Sequence, residues 1–257
     1  MKNRILTHQD RGKKSFIEYK YLRNFELFML EEKIVELPDI KHLLISGVIL
    51  FLLSFAGSVM IVVRIVITGQ FSYIYLIWNL FLAWIPLILA VIMLYKLSVN
   101  LKWTWILTLL GLLWIVFYPN APYMITDFIH IRRGETLLVW YDFVIFSLFI
   151  ITAFIVGFLS LYLVHRIVAK VSENNVIGWM FAIFVQLLSG FGIYLGRVKR
   201  WNSWDALFSP MFLLNGVLDS LHYRPLIFSL LFGTFLILTY IAVYSLTVLN
   251  MSKTGSR

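Results

Sequence analysis

Six stretches of this chain, at about residues 42–63, 73–95, 103–118, 137–164, 176–195 and 225–249, are long runs of apolar residues. A helix needs about 17–25 such residues to cross a hydrocarbon core of roughly 30 Å. The third run is short by itself and is expected to continue through Tyr118. Water offers no alternative home for so much apolar chain. Hydrophobic residues make up 61% of the sequence and charged residues 14%, against about 25% charged in a typical soluble domain, so the polar groups are too few to cover a folded surface. The expected fold class is therefore all-α, a polytopic transmembrane helix bundle of six spans. That excludes a soluble enzyme, a nucleic-acid-binding module and a secreted scaffold.

The chain divides near residue 41. Residues 1–41 form a charged N-terminal arm and residues 42–257 the transmembrane helical domain. Ile17, Tyr21, Phe25 and Phe28 recur in the arm at helical spacing, and Pro38 follows; the pattern predicts an amphipathic helix on the membrane surface or against the bundle. Pro86 falls inside the second span and predicts a kink whose freed backbone groups neighbouring helices must satisfy. A further stretch at 207–218 is only about a dozen residues long, which suits an interfacial or re-entrant segment. The first apolar run starts too late, and without a small-residue cleavage site, to read as a signal peptide.

Sidedness follows from the cations. Of the 22 Lys and Arg residues, 15 fall on the side of the two termini and seven on the other. By the positive-inside rule both termini are expected in the cytoplasm. The formal charge of +9 is explained the same way, without nucleic acid. There are no cysteines, so thiolate nucleophiles and thiolate metal sites do not arise. No cofactor is expected either: Gly190-x-Gly192 lacks the spacing and the preceding strand of a dinucleotide fingerprint, and no phosphate-binding glycine loop occurs.

Beyond the arm the acidic residues are Asp127, Glu135, Asp142, Glu173, Asp205 and Asp219. Five of these six lie in two segments, 119–142 and 197–219, which two spans separate and which therefore emerge on one membrane face. The charge count makes that face extracytoplasmic. In the first segment, Pro119 and Pro122 end the third helix and predict extended backbone at Asn120–Ala121, with Asn120 capping locally. Asp127 and His130 would share a helix face, so that the carboxylate orients the imidazole. A metal pair at the same two residues would lack a third ligand. Arg132 and Arg133 carry fork-shaped donors suited to phosphate or carboxylate. Trp140 and Tyr141 read as an interfacial belt. In the second segment Arg197, Lys199 and Arg200 precede Asn202 and Asp205, and Gly192 and Gly196 are spaced for close approach of another helix. His165 and His222 read as interfacial.

The strings WNLFLAWIPLILA, FYPNAPYMITDFIH, WYDFVIFSLF, GFLSLYLVH and GFGIYLGRVKRWNSWD, spread over roughly Leu76 to Pro210, closely resemble the bacterial membrane proteins catalogued as domain of unknown function 1361. The resemblance implies a polytopic plasma-membrane protein of a bacterium and implies no activity.

Three functions fit these residues. The first is a polar site at head-group level that binds an anionic group such as a lipid phosphate, with Asp127 and His130 as the base if it is catalytic. The ligand-binding candidates are Asn120, Tyr123, Arg132, Arg133, Asp142, Arg197, Arg200, Asn202 and Asp205. The second is a small transporter, favoured by Asp142 and Pro86 within spans but lacking an inverted repeat. The third is a subunit of a membrane complex, with the arm and the Gly192/Gly196 face as contacts. Asp142 is expected to pair with an arginine of one of the two segments, Arg197 or Arg200 foremost, or with a polar neighbour, since an unpartnered carboxylate in the bilayer is costly.

Overall fold

The computed structural model describes residues 40–99, 104–131, 136–200, 211, 220 and 223–254. Residues 1–39 of the arm, Arg132, Arg133, Asn202, Asp205, His222 and nearly all of 207–218 lie outside these residues. The described chain is helical, and no strand occurs among the described residues. The helices are α1 (Ile40–Thr68), α2 (Tyr75–Val99), α3 (Trp105–Phe117), α4 (Asn120–Tyr123), a 3₁₀ helix (Met124–His130), α5 (Thr136–Val171), α6 (Asn175–Val198) and α7 (Tyr223–Thr254). Six helical stretches are long and apolar enough to cross a membrane, with Trp105–His130 counting as one. A lipid environment imposes this, because helices satisfy every backbone N–H and C=O within their own segment.

The 36-residue α5 is the central post and packs against α1, α2 and α6. At about 1.5 Å per residue it is longer than a bilayer core is thick. Its Phe146, Phe149, Val156, Leu161 and Val164 are all buried. They join two apolar clusters, one around Leu76, Ala121, Met124 and Phe149, the other around Met93, Trp114, Trp179 and Tyr240. The outward surfaces stay apolar, as with Leu44, Phe51 and Phe55 on α1, which is the pattern expected where the solvent is lipid.

The α5–α6 turn is tight. Glu173 takes the left-handed conformation (φ 52°), and Asn174 N–H donates back to the Ala169 carbonyl at 3.1 Å, a Schellman-type ending. The Asn174 side chain then accepts from Val176 N–H and caps α6. Along α6, the closest helix approach is at Gly190, where an added Cβ would overlap the Ser229 carbonyl and sit 2.8 Å from the Gly233 nitrogen of α7. Gly192, expected to let another helix approach closely, faces Pro119 of the third span, whose ring atoms an added Cβ would meet at 3.0 Å.

The third span departs from expectation. Extended backbone at Asn120–Ala121 does not occur; the chain stays helical through both prolines and on to His130. Pro119 has φ −60° and ψ −19°, compatible with a helix start, where a missing N–H costs little. Tyr123 N–H reaches the Pro119 carbonyl at 2.9 Å, while Ala121 N–H donates to Tyr118. The Asn120 side-chain amide donates to the Phe117 carbonyl at 2.8 Å. The break is thus stitched locally, and the segment packs into the bundle instead of forming an outer loop. Gly157 makes room for it, since a Cβ there would lie 2.7 Å from Ala121 Cβ.

His165 is buried, not interfacial. Its Nδ1 lies 2.9 Å from the Tyr240 hydroxyl, and its ring packs edge-on to Trp179 with centroids 4.8 Å apart.

Candidate functional site

The 3₁₀ helix sets the site's geometry. With three residues per turn, positions i and i+3 eclipse, so Asp127 and His130 lie on one edge. The basic residue of the last turn of α6, Arg197, meets this edge from across the bundle. A cation at that position also complements the helix dipole.

Arg197 organises the cluster. Its Nε donates to the Thr126 hydroxyl at 2.8 Å, and one terminal nitrogen donates to both Thr126 Oγ1 and Asp127 Oδ1. The other terminal nitrogen lies 2.8 Å from His130 Nε2. A guanidinium can only donate, so Nε2 is the acceptor and the ring proton resides on Nδ1. The guanidinium carbon sits 4.3 Å above the Tyr123 ring, a cation–π geometry. Asp127 is 1% exposed, and its second oxygen accepts from Asn79 Nδ2 of α2 at 3.2 Å. The carboxylate and imidazole therefore do not form the expected direct pair. A guanidinium bridges them.

Asn79, Tyr123, Asp127, His130 and Arg197 line a cavity of about 460 Å³ together with Ser72, Tyr73 and Tyr75. Tyr75 packs edge-on to His130, with ring centroids 6.0 Å apart. Its hydroxyl is buried and has no hydrogen-bond partner among the described residues.

A second ionic cluster adjoins the first. Arg64 of α1 grips Asp142 of α5 with two parallel hydrogen bonds, 2.5 and 3.0 Å long, and Tyr73 donates to the same carboxylate at 2.9 Å. The Arg64 guanidinium also lies 4.1 Å over the Tyr73 ring. Asp142 is 3% exposed and Arg64 5%. The expected partner of Asp142 was wrong: Arg197 is held by Asp127, and the counter-charge comes from Arg64, one turn from the end of α1. With both oxygens engaged, Asp142 does not line the cavity; it anchors Tyr73, which does.

Of the ligand candidates, Tyr123 and Arg197 come together around the cavity, joined there by Asp127 and His130. Asn120 stands apart, its amide used on the backbone of α3. Arg200 is exposed just beyond α6, in the left-handed region at φ 58°, and does not line the cavity. Arg132, Arg133, Asn202 and Asp205 lie outside the described residues. Sequence reasoning missed Asn79, Thr126, Tyr73, Tyr75 and Ser72. For Asn79 and Arg64 a signal existed, since each is a polar residue inside an apolar span. The tyrosines carried none, because Tyr at a span's end also reads as belt.

A family model described as "Protein of unknown function (DUF1361)" matches residues 78–239. The match takes in α2 from Trp78 onward, α3 to α6 and half of α7, and so includes Asn79, Tyr123, Asp127, His130 and Arg197. No curated protein matches the chain, and no solved structure does.

Proposed function

The chain belongs to the DUF1361 family, and from that premise we propose that it is a multi-pass protein of a bacterial plasma membrane whose cavity binds an anionic group at head-group level. The observation that carries this reading is the balance of hydrogen-bonding groups in the cavity wall. Tyr123 and Ser72 offer hydroxyls, His130 its Nδ1–H, Asn79 a second amide hydrogen, and Arg197 its one remaining N–H. The single carboxylate in the described wall, Asp127, has one oxygen on Arg197 and the other on Asn79. A wall rich in donors, with its carboxylate already engaged, suits a ligand that mainly accepts: a phosphate or a carboxylate. Hydrogen bonds to a charged ligand contribute about 1.5–3 kcal/mol each. Lys199 and Arg200, exposed just past Arg197, would steer such a ligand inward.

The extracytoplasmic location of the cavity rests on the cation split between the two faces. The wall is better suited to binding than to proton transfer, because Arg197 engages both Asp127 and His130, the two candidate bases.

Ligand-induced stabilisation tests the reading. A ligand that binds only the folded state stabilises it by RT ln(1 + [L]/Kd). Glycerol phosphate in solution, or phosphatidylglycerol in nanodiscs, should raise the Tm of the purified protein above that in chloride of equal ionic strength or in phosphatidylcholine. Asn79→Ala should weaken that shift. If neither anion stabilises the protein beyond its control, the cavity is not an anion site.

A further inference from the structure

The residues that adjoin the cavity lining in sequence carry information that its interior does not. Alongside the polar wall, the neighbouring residues in sequence are large, apolar and outward-facing. Ile129, beside His130, is 70% exposed, Trp78, beside Asn79, is 54% exposed, and Ile74 stands between Tyr73 and Tyr75 with half its surface open. Trp78 and Phe81 add a two-ring platform, centroids 5.5 Å apart. These residues belong to or flank spanning helices, so their exposed surface meets lipid.

Resting on the anion-site reading above, we propose that the ligand is an amphiphile: a membrane lipid whose oxyanion head group enters the cavity sideways from the bilayer while its chains lie against Ile129 and Trp78. Two further observations favour a lipid over a free anion. Arg197 and Asp127 cancel, so the described wall has little net charge with which to extract a phosphate from bulk water, whereas the membrane already concentrates lipid phosphates at this depth. Size points the same way. By the roughly 30 Å³ that one water occupies, the five heavy atoms of a phosphate fill on the order of 100–150 Å³, leaving most of the 460 Å³ for the group the phosphate carries.

The test compares one head group with and without chains. Binding of phosphatidylglycerol and of water-soluble glycerol phosphate is measured on the full-length protein in nanodiscs, by competition or by native mass spectrometry. The lipid should bind at least about tenfold more tightly, a difference of about 1.4 kcal/mol. Ile129→Ser removes exposed apolar surface next to His130. It should weaken lipid binding about three- to tenfold, in proportion to the apolar area withdrawn from the acyl chains, and leave glycerol phosphate binding unchanged. Trp78→Gln is an independent second variant with the same expectation. Equal affinity for the two ligands, or equal weakening of both in the two variants, overturns the lipid proposal while the anion site stands. Binding of neither above phosphatidylcholine and glycerol controls removes the anion site and this inference together.

Discussion

Asp127 and Arg197 form an ion pair inside the bundle, and the two residues are therefore expected to fail together. Removing one partner of a buried pair leaves an uncompensated charge and costs about 3–5 kcal/mol, whereas removing both is much milder. Arg197→Ala should thus lower stability by about 3 kcal/mol in a thermal or denaturant unfolding assay in detergent. Adding Asp127→Asn should recover a substantial part of that loss, and strict additivity of the two would contradict the pairing of these side chains. Tyr75 behaves oppositely. A buried hydroxyl with no partner among the described residues is unfavourable by about 1–3 kcal/mol, so Tyr75→Phe should leave the ligand-free Tm unchanged or raise it. A clear drop in Tm would show that the hydroxyl is bonded after all. At this scale the sequence was partly legible. Asp127, His130 and Arg197 could be picked out because charge is scarce in the spans and residues that break the apolar pattern stand out. Which cation served which carboxylate could not be read, since Arg64 and Asp142 lie 78 positions apart and no local pattern links them.

Among the elements, helix contacts decide which glycines matter. Gly190 faces backbone on α7, which cannot move aside as a side chain can. Gly190→Ala should force α6 and α7 apart and lower stability by at least the 1–3 kcal/mol typical of overpacking. Gly111 is the contrast: an added Cβ there meets only the Met93 methyl, at 3.9 Å. Gly111→Ala should be neutral or stabilising by up to about 1 kcal/mol, from helix propensity. Unfolding midpoints of the two variants in the same detergent check both expectations, and similar losses would mean that α6 and α7 are not closely packed. The proline-bearing third span illustrates the limit of local rules. Pro119 and Pro122 read as a stop, and local preference alone favours extended backbone before a proline. Burial of Ala121, Met124 and Asp127, admitted by Gly157 and Gly192 on other helices, overrides that preference.

For the whole molecule, the absence of cysteine makes sidedness directly measurable. Single cysteines at Glu135 and Ser203 should react with a membrane-impermeant reagent in intact cells, as the cation split requires. Labelling only after lysis would invert the topology and place the cavity on the cytoplasmic side. The six spans, the all-helical fold and the co-facial placement of the two charge-bearing segments are determined by the sequence alone. They depend on run length, hydrophobicity and the parity of crossings, each of which is a property of the chain read in order. Burial of the 119–131 segment, the Arg64–Asp142 clamp and the convergence of Asn79, Tyr123, Asp127, His130 and Arg197 on one cavity were decided only by the tertiary structure. Those features depend on which helix faces meet and how closely. That is settled by side-chain volume and counter-charge supplied from distant spans, and neither leaves a periodic trace in the sequence.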